Sequence, residues 1–321
     1  MKNLGGTPLT VLLWVAFLGA LLLIALRWVD SRVGLVAVLQ SMVPLGGILV
    51  AVVFVGASLT RRWPVTIVSG ALLALCVALA VPSVLGHRAA PGRDDLVVMS
   101  ANLLYGAADA QTLMDAARAH RVDVLVLVEV TPAAVERLGA AGLEVVLPES
   151  AGRLSPDANR SIVRSRIPMT VVQPRPDQVS PWDPHEVVVS LHLAGDDVLL
   201  RAVHPLPPAL SGAADWRAGL ADLQAWRERQ PPGQPLVLAG DFNASWGHPG
   251  YRAIAQTMTD AHRAAGQGWV RTWPQGRRLI RPFVQLDHVL TRGLDVVDAG
   301  VVRVPKTDHA AVWARLALGS S

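Results

Sequence analysis

Three long apolar segments near the N-terminus constrain this chain more than any other feature. They contain no Asp, Glu, Lys or Arg and extend over Leu9–Leu26, Val33–Leu59 and Val65–Leu85. Each is close to the ~20 residues that a helix needs to cross the hydrocarbon core of a bilayer. A signal peptide has only one such segment, and helices buried in a soluble bundle carry a polar stripe, which these segments lack. The sequence therefore predicts three transmembrane helices.

The charge distribution separates this apolar region from the rest of the chain. The net charge is +4, and residues 1–87 account for all of it. Basic residues beside apolar spans are common orientation signals. The remaining residues carry equal numbers of acidic and basic groups, so they lack the net positive charge typical of nucleic-acid-binding domains. The composition favours a membrane over a nucleic acid as partner.

A short segment rich in Gly, Pro and Ala divides the chain. We predict a membrane anchor at residues 1–87, a linker at 88–94 and a catalytic domain at 95–318. The last region mixes paired strand-like runs with strand–helix steps, which predicts an α/β fold, a four-layer sandwich of two packed β-sheets flanked by helices. The only cysteine, Cys76, lies in the third apolar segment, which excludes a cysteine-based metal site.

Polar residues follow or interrupt several of the predicted strands. Strand ends are positions where a rigid sheet presents side chains to a common crevice. Oxygen ligands and histidines without cysteine suit a hard cation such as Mg²⁺. Taken singly these residues have ordinary alternatives, because a Glu can mark a strand end and a Gly-Asp-Phe-Asn sequence can form a turn. The candidate residues are Asn102, Glu129, His204, Asp241, Asn243, Asp287, Asp308 and His309.

Several short motifs carry a more specific signal. Gly240-Asp-Phe-Asn243 resembles the GDFN motif of the endonuclease/exonuclease/phosphatase superfamily, and Thr307-Asp-His309 resembles its SDH motif with Thr in place of Ser. One four-letter motif is weak evidence, but six in the correct order are strong. The other matches, spread over about Leu96–Leu316, are Ser100-Ala-Asn102, Val128-Glu129, Val203-His-Pro205 and Leu286-Asp-His-Val289, with Arg271-Thr-Trp-Pro274 shortly before the last.

This resemblance implies a metal-dependent phosphoesterase. It implies that Glu129 binds Mg²⁺, or Mn²⁺ as an alternative, with Asn102 and Asp308 close to the metal. A phosphate ester repels hydroxide, so such a site must neutralise the phosphate oxygens and direct a water molecule at phosphorus.

The resemblance also implies five catalytic roles. Asp241 would orient or deprotonate the attacking water, and Asn243 would position it. His309 would contact the phosphate and be held by Asp287, because a carboxylate beside an imidazole favours the protonated form of the ring. His204 would stabilise charge on the phosphoryl group.

The whole architecture, three spans followed by such a domain, is similar to the actinobacterial membrane proteins linked to vancomycin and teicoplanin resistance. That family is associated with dephosphorylation of the polyprenyl carrier lipid of the cell wall. The resemblance implies a multi-pass protein of the cell membrane with an extracytoplasmic catalytic domain and a lipid-linked phosphate or pyrophosphate ester as substrate. The number of basic groups on the cytoplasmic side is the same for both orientations of the chain, so the positive-inside rule alone does not decide between them. A membrane-tethered nuclease and a catalytically inactive membrane-bound binding module remain as alternatives.

Overall fold

The N-terminal part of the chain is helical, and the rest forms two β-sheets with helices on their outer faces. Within the predicted linker, Arg93 and Asp94 lie outside the described residues. The computed structural model describes residues 6–92, 95–156, 160–172, 187–193, 197–208 and 212–318.

The apolar segments form four helices. Two of them, α1 and α4, are long and apolar enough to cross a membrane by length and composition, over Pro8–Trp28 and Trp63–Leu85. Many of their large apolar side chains point outward and are exposed, which is costly in water but normal for helices that face lipid. These helices therefore fit a membrane anchor. The helices are α1 (Gly6–Ala25), α2 (Gly34–Ser41), α3 (Val43–Leu59) and α4 (Trp63–Leu85).

The second apolar segment is a bent pair of helices and not the single helix that its length predicts. α2 and α3 meet at an angle of 57° at Met42. Pro44 lies in the first turn of α3, where its ring cannot donate a backbone hydrogen bond and disfavours a helical conformation at the residue before it. The described residues thus contain two candidate spans, or three if the bent pair counts as one.

Within the described residues, each of the two sheets is mixed and has six strands. The strand orders are β11-β12-β1-β2-β4-β3 and β5-β6-β7-β8-β10-β9. One central pair in each sheet is parallel, β1 with β2 and β7 with β8. The strands are β1 (Leu96–Asn102), β2 (Val124–Val128), β3 (Glu149–Gly152), β4 (Ile162–Ser165), β5 (Met169–Val171), β6 (Val188–His192), β7 (Asp197–Val203), β8 (Leu236–Asp241), β9 (Thr259–Asp260), β10 (Asp287–Arg292), β11 (Leu294–Arg303) and β12 (Ala310–Leu318).

The sheets pack face to face and each carries helices on its outer face. Valines of β1 and β2 meet apolar side chains of β7 and β8 in the central core. The outer face of the first sheet packs against α5, α6 and α7, and that of the second against α8 and α9. This arrangement confirms the predicted α/β sandwich. The helices are α5 (Ala110–Ala119), α6 (Pro132–Ala140), α7 (Leu143–Val146), α8 (Ala214–Arg229), α9 (Pro249–Ala255) and α10 (Ala261–Ala264).

The short helix α2 packs directly on the second sheet's helical layer. Ala37 is buried in the same apolar core as Trp216 and Tyr251. The buried His248 ring accepts the Ser245 N–H at Nδ1, 2.8 Å away, so Nε2 carries the proton and donates to Ala37 O, 2.9 Å away. The predicted anchor therefore contributes residues to the core of the predicted catalytic domain.

Other contacts cross the same boundary at the ends of the long helices. The Arg27 guanidinium donates to Trp246 O, and Arg252 Nη2 donates to Arg27 O over 2.6 Å. At the end of α4, Gly268 N–H donates to Ser83 O over 2.8 Å. The domain bounds at 87 and 95 stay a prediction, but the two parts are joined by packed side chains and by hydrogen bonds.

Candidate active site

The parallel strand pairs bring polar residues of both sheets to one edge of the sandwich. Asn102 ends β1 and Glu129 follows β2, while Asp241 ends β8. The carboxyl ends of parallel neighbours lie at the same edge of a sheet, and face-to-face packing places the two edges side by side. The Asn102 Nδ2 group joins them, since it donates to Glu129 Oε1 over 2.9 Å and to Asp241 Oδ2 over 3.0 Å.

The orientation of the Asn102 amide follows from its neighbours. Its Oδ1 atom lies 2.9 Å from Leu104 N, and a backbone N–H can only donate, so the amide oxygen faces Leu104 and the NH₂ group faces the carboxylates. Thr307 Oγ1 donates to Asn102 O over 2.9 Å and accepts from His309 N–H over 3.1 Å. A serine hydroxyl would serve equally, so Thr in place of Ser leaves this link intact.

Glu129 is an ionised carboxylate in a constrained backbone position. Its φ of 55° lies in the left-handed region, which is sparsely populated by residues other than glycine. Oε2 accepts from Tyr105 N–H over 2.9 Å, and Oε1 lies 3.6 Å from His204 Nε2. Burial alone would raise the pKa of Glu129, but the adjacent His204 and hydrogen bonds from Asn102 and the Tyr105 backbone outweigh it and lower the pKa to about 2.

A second group pairs a buried imidazole with a buried carboxylate. Asp287 lies opposite Asp241 in the β8–β10 ladder, and its Oδ2 is 2.9 Å from His309 Nδ1. His309 Nε2 is 3.6 Å from Asp241 Oδ2. Burial lowers the pKa of His309, but the charges of Asp287 and Asp241 outweigh this and raise it to about 10. The ring is therefore a cation at neutral pH.

Asp241 and Asn243 are held by the turn that follows β8. At Gly240 a Cβ would lie 1.9 Å from Val203 O, and φ is +153°, so no other residue fits there. Asp241 Oδ1 accepts from Asn243 N–H over 2.8 Å, and Asn243 Nδ2 donates to Pro205 O over 3.0 Å. Burial raises the pKa of Asp241, and the charge of Asp287 adds to this against the opposing charge of His309.

Asp308 carries an oxygen that suits a cation. Its Oδ2 accepts from the Trp273 indole over 3.2 Å, whereas Oδ1 is buried and has no hydrogen-bond donor. A buried carboxylate oxygen without a partner costs free energy unless a cation lies beside it.

Two sets of side chains are therefore candidates for a metal ion. Asp241, Asp287 and His309 offer ligand atoms within 4.8 Å of one another, but the two ring nitrogens of His309 already face carboxylates, Nδ1 that of Asp287 and Nε2 that of Asp241. Glu129 and Asp308 are hard oxygen donors of the kind that Mg²⁺ prefers, and they are the better fit.

Seven of the eight predicted residues are linked by the contacts above, and Asp308 adjoins one of them, His309, in the chain. Their individual roles remain predictions. The sequence assigned no role to Thr272, whose Oγ1 accepts the N–H groups of Leu286 and Asp287 over 3.0 and 3.3 Å. Thr272 and Trp273 both belong to the Arg271–Pro274 motif, so the position of that motif in the sequence was the signal that could have placed these two residues beside the site.

Comparisons with known proteins agree with this fold. The model of the Endonuclease/Exonuclease/phosphatase family matches residues 99–309. A search of curated protein sequences found no match.

Solved structures share the fold at low identity. A family protein from Bacteroides thetaiotaomicron has a TM-score of 0.54 at 15% identity, over 71% of this chain and 99% of its own. TDP2 of D. rerio, complexed with a single-strand DNA product, has a TM-score of 0.54 at 15% identity, over 69% of this chain and 98% of its own. A beta toxin variant from Staphylococcus aureus with bound magnesium ions has a TM-score of 0.51 at 15% identity, over 69% of this chain and 99% of its own.

Proposed function

Because the chain belongs to the endonuclease/exonuclease/phosphatase family, we propose that it is a membrane-anchored, Mg²⁺-dependent phosphoesterase that hydrolyses a lipid-linked phosphate or pyrophosphate ester. One observation carries the proposal. A buried imidazolium, His309 on Asp287, lies beside the Asp241 carboxylate at the edge where Glu129 and Asp308 present hard oxygen ligands.

The residues of this edge divide the chemistry between them. The His309 cation would bind a phosphoryl oxygen through Nε2–H, and Asp287 keeps the ring protonated and fixed. Asp241 would accept a proton from the attacking water, because a carboxylate with a raised pKa is the better base. Asn243 would position that water, and His204 would stabilise charge on the phosphoryl group.

Glu129 and Asp308 would hold the metal ion, and Asn102 would hold Glu129 in place through its NH₂ group. Mn²⁺ is an alternative to Mg²⁺ at such a site, since both accept oxygen ligands. A divalent cation bound there supplies charge neutralisation for the phosphate oxygens.

The membrane part of the proposal rests on the helices. α1 and α4 fit a membrane anchor, and the contacts of α2 and of Ser83 hold the sandwich close to the ends of these helices. A substrate confined to the same bilayer would be present at a high local concentration. We therefore propose a polyprenyl carrier-lipid phosphate or pyrophosphate as substrate, a role in wall-lipid recycling and glycopeptide resistance, and an extracytoplasmic catalytic domain.

A screen for ester hydrolysis by the purified full chain, with the products separated by chromatography, tests this proposal. The substrates are polyprenyl pyrophosphate, a sphingolipid, inositol phosphates and DNA, each with Mg²⁺, with Mn²⁺ and with chelator. The Asp241→Asn variant controls for contaminating phosphatases. We expect metal-dependent release from the polyprenyl substrate that Asp241→Asn abolishes. Cleavage of DNA alone would identify a tethered nuclease, and no hydrolysis of any ester would identify a binding module; either result overturns the proposal.

A further inference from the structure

A protruding loop adjoins the candidate site. Trp273 and Val284 form an antiparallel bridge, and Phe283 N–H donates to Trp273 O over 3.0 Å. We call residues 274–283, which this bridge closes, the arginine hairpin. At its base the Trp273 indole donates to Asp308, so the hairpin and the candidate metal site share a contact.

The tip of the hairpin combines exposed apolar and basic side chains. Leu279 is 93% exposed, the highest value for any large apolar side chain in the described residues, and Ile280 is 54% exposed. Three exposed arginines flank them, at 277, 278 and 281. Exposed aliphatic side chains are unfavourable in water, whereas aliphatic groups flanked by arginines suit the boundary between acyl chains and anionic headgroups.

The base of the hairpin is connected to the end of the anchor. Gly268 N–H donates to Ser83 O in the last turn of α4 over 2.8 Å. The next residue, Trp269, is 40% exposed and donates through its indole to Phe283 O over 3.0 Å. The Arg271 guanidinium lies 5.4 Å from the centroid of the Trp269 ring. Amphipathic rings at the end of an apolar span are typical of a membrane interface.

We propose that the arginine hairpin docks on the surface of the leaflet beside the anchor and inserts Leu279 and Ile280 among anionic lipid headgroups. This inference rests on the membrane location in the proposed function. It assigns to the hairpin the role of holding the Asp308 side of the candidate site close to the lipid surface. A nucleic acid would be the other partner for arginines. Single strands, however, are held mainly by aromatic stacking, and the tip presents aliphatic groups.

An environment-sensitive fluorophore at position 279 tests the insertion. The full chain carries one cysteine, so the probe is attached to Leu279→Cys in a Cys76→Ala background and the protein is reconstituted into vesicles. Val145→Cys, at an apolar side chain that is 88% exposed on α7, is the matched control. We expect spin-labelled lipids to quench the probe at 279 but not at 145, and more strongly when phosphatidylglycerol is added to phosphatidylcholine. Equal behaviour at both positions would overturn the inference.

Removing the tip charges tests the electrostatic part. Each of the variants Arg277→Gln, Arg278→Gln and Arg281→Gln should weaken the association of the hairpin tip with a bilayer that contains phosphatidylglycerol by about fivefold. The measurement is the spin-label quenching of the probe at 279. Arg118→Gln, on the outer face of the first sheet, is the control and should have no effect. Single-stranded DNA is the alternative partner. If an oligonucleotide displaces the probe from the bilayer, and the same arginine variants no longer bind that oligonucleotide, the partner is a nucleic acid and the proposal is refuted.

The quenching does not depend on catalysis, so the two proposals can fail separately. Leu279→Ser with Ile280→Ser should lower kcat/KM for a vesicle-embedded phosphate ester and leave hydrolysis of a water-soluble nitrophenyl phosphate ester unchanged. Quenching at 279 without hydrolysis of any ester would refute the proposed function alone. Hydrolysis of the lipid ester without quenching would refute the hairpin proposal alone.

Discussion

At the scale of single residues, the site holds two ionised groups of opposite sign whose pKa values are shifted apart. Hydrogen-bond donors around Glu129 keep it negative, with a pKa of about 2. Carboxylates around His309 keep it positive, with a pKa of about 10. Both groups are therefore charged over the whole neutral range, which suits a site that binds a metal ion on one side and a phosphate oxygen on the other.

Glu129→Gln should abolish hydrolysis and leave the fold intact. The amide keeps the shape of the side chain, creates no cavity and removes the negative charge that a divalent cation needs. Phosphate release measured as a function of Mg²⁺ concentration, with circular dichroism for the fold, checks this. Glu136→Gln, at an exposed position of α6, is the matched control. Full activity of Glu129→Gln at limiting Mg²⁺ would remove Glu129 from the metal site.

Asp287→Asn should move the alkaline limb of the pH–activity profile to lower pH. If the protonated His309 is the active form, activity is present below its pKa and is lost as the pH rises through it. In the native chain that value is about 10, and it falls toward the ordinary value near 6.5 when the negative charge of Asp287 is removed.

The profile should be recorded on a water-soluble ester, with Asp115→Asn, at an exposed position of α5, as the control. The His309→Ala and Asp287→Ala losses should also be non-additive, because the carboxylate acts through the imidazole. An unshifted alkaline limb, or multiplicative losses in the double variant, would show that the two residues act independently.

At the scale of elements, the turn after β8 joins the site to the anchor. The residues that follow Asn243 turn back so that Gly247 lies against α2, where a Cβ would be 2.1 Å from Gln40 O. Trp216 donates from α8 to Asn243 O over 3.1 Å, and its ring contacts that of His248 with centroids 5.0 Å apart. α2 therefore supports the loop that follows Asp241 and carries Asn243.

Gly247→Ala should destabilise the full chain by about 1–3 kcal/mol, because the added methyl group meets backbone that cannot yield as a flexible side chain would. Denaturant unfolding in detergent, followed by tryptophan fluorescence, measures this change. Gly233→Ala is the matched control, since a Cβ there has no atom within 4 Å. Equal stability of the two variants would show that α2 and the loop are not packed against each other in solution.

At the scale of the whole molecule, the contacts assign the inter-helix segments to opposite ends of the N-terminal helices, the proposed anchor. The Asp30 carboxylate pairs with Arg217, and Arg32 O accepts from Ala213 N–H over 2.9 Å, so the segment after α1 lies on the side of the sandwich. The turn at Arg61 and Arg62 joins the far ends of α3 and α4. Positive charge is present on both sides, so charge alone does not orient the chain.

The proposed extracytoplasmic domain can be tested with protease on intact protoplasts. An epitope tag after Ser321 should be lost when protease is added outside. A matched tag in the turn at Arg61 and Arg62 should be degraded only after lysis, because this turn lies on the opposite side of the anchor. The reverse pattern would place the catalytic domain in the cytoplasm and refute the external form of the carrier-lipid hypothesis.

The sequence predicted most of the sheet architecture, because its strands are apolar runs with clear ends. β1, β2 and β8, for example, are apolar runs that end at or just before the predicted site residues Asn102, Glu129 and Asp241. The short edge strands β3, β5 and β9 were not predicted, since runs of two to four residues have too little periodicity to be distinguished from loops. The bend at Met42 was also missed, although Pro44 was visible in the sequence as a break signal.

Local sequence thus predicted the candidate site residues and determined that the N-terminus is apolar enough for a membrane, because motifs and hydropathy depend only on neighbours along the chain. Tertiary structure alone decided how these features meet. The charge state of His309 depends on Asp287, 22 residues away in sequence, and the packing of Ala37 depends on His248, 211 residues away. Such contacts arise when the sheets and helices pack together, and no local pattern encodes them.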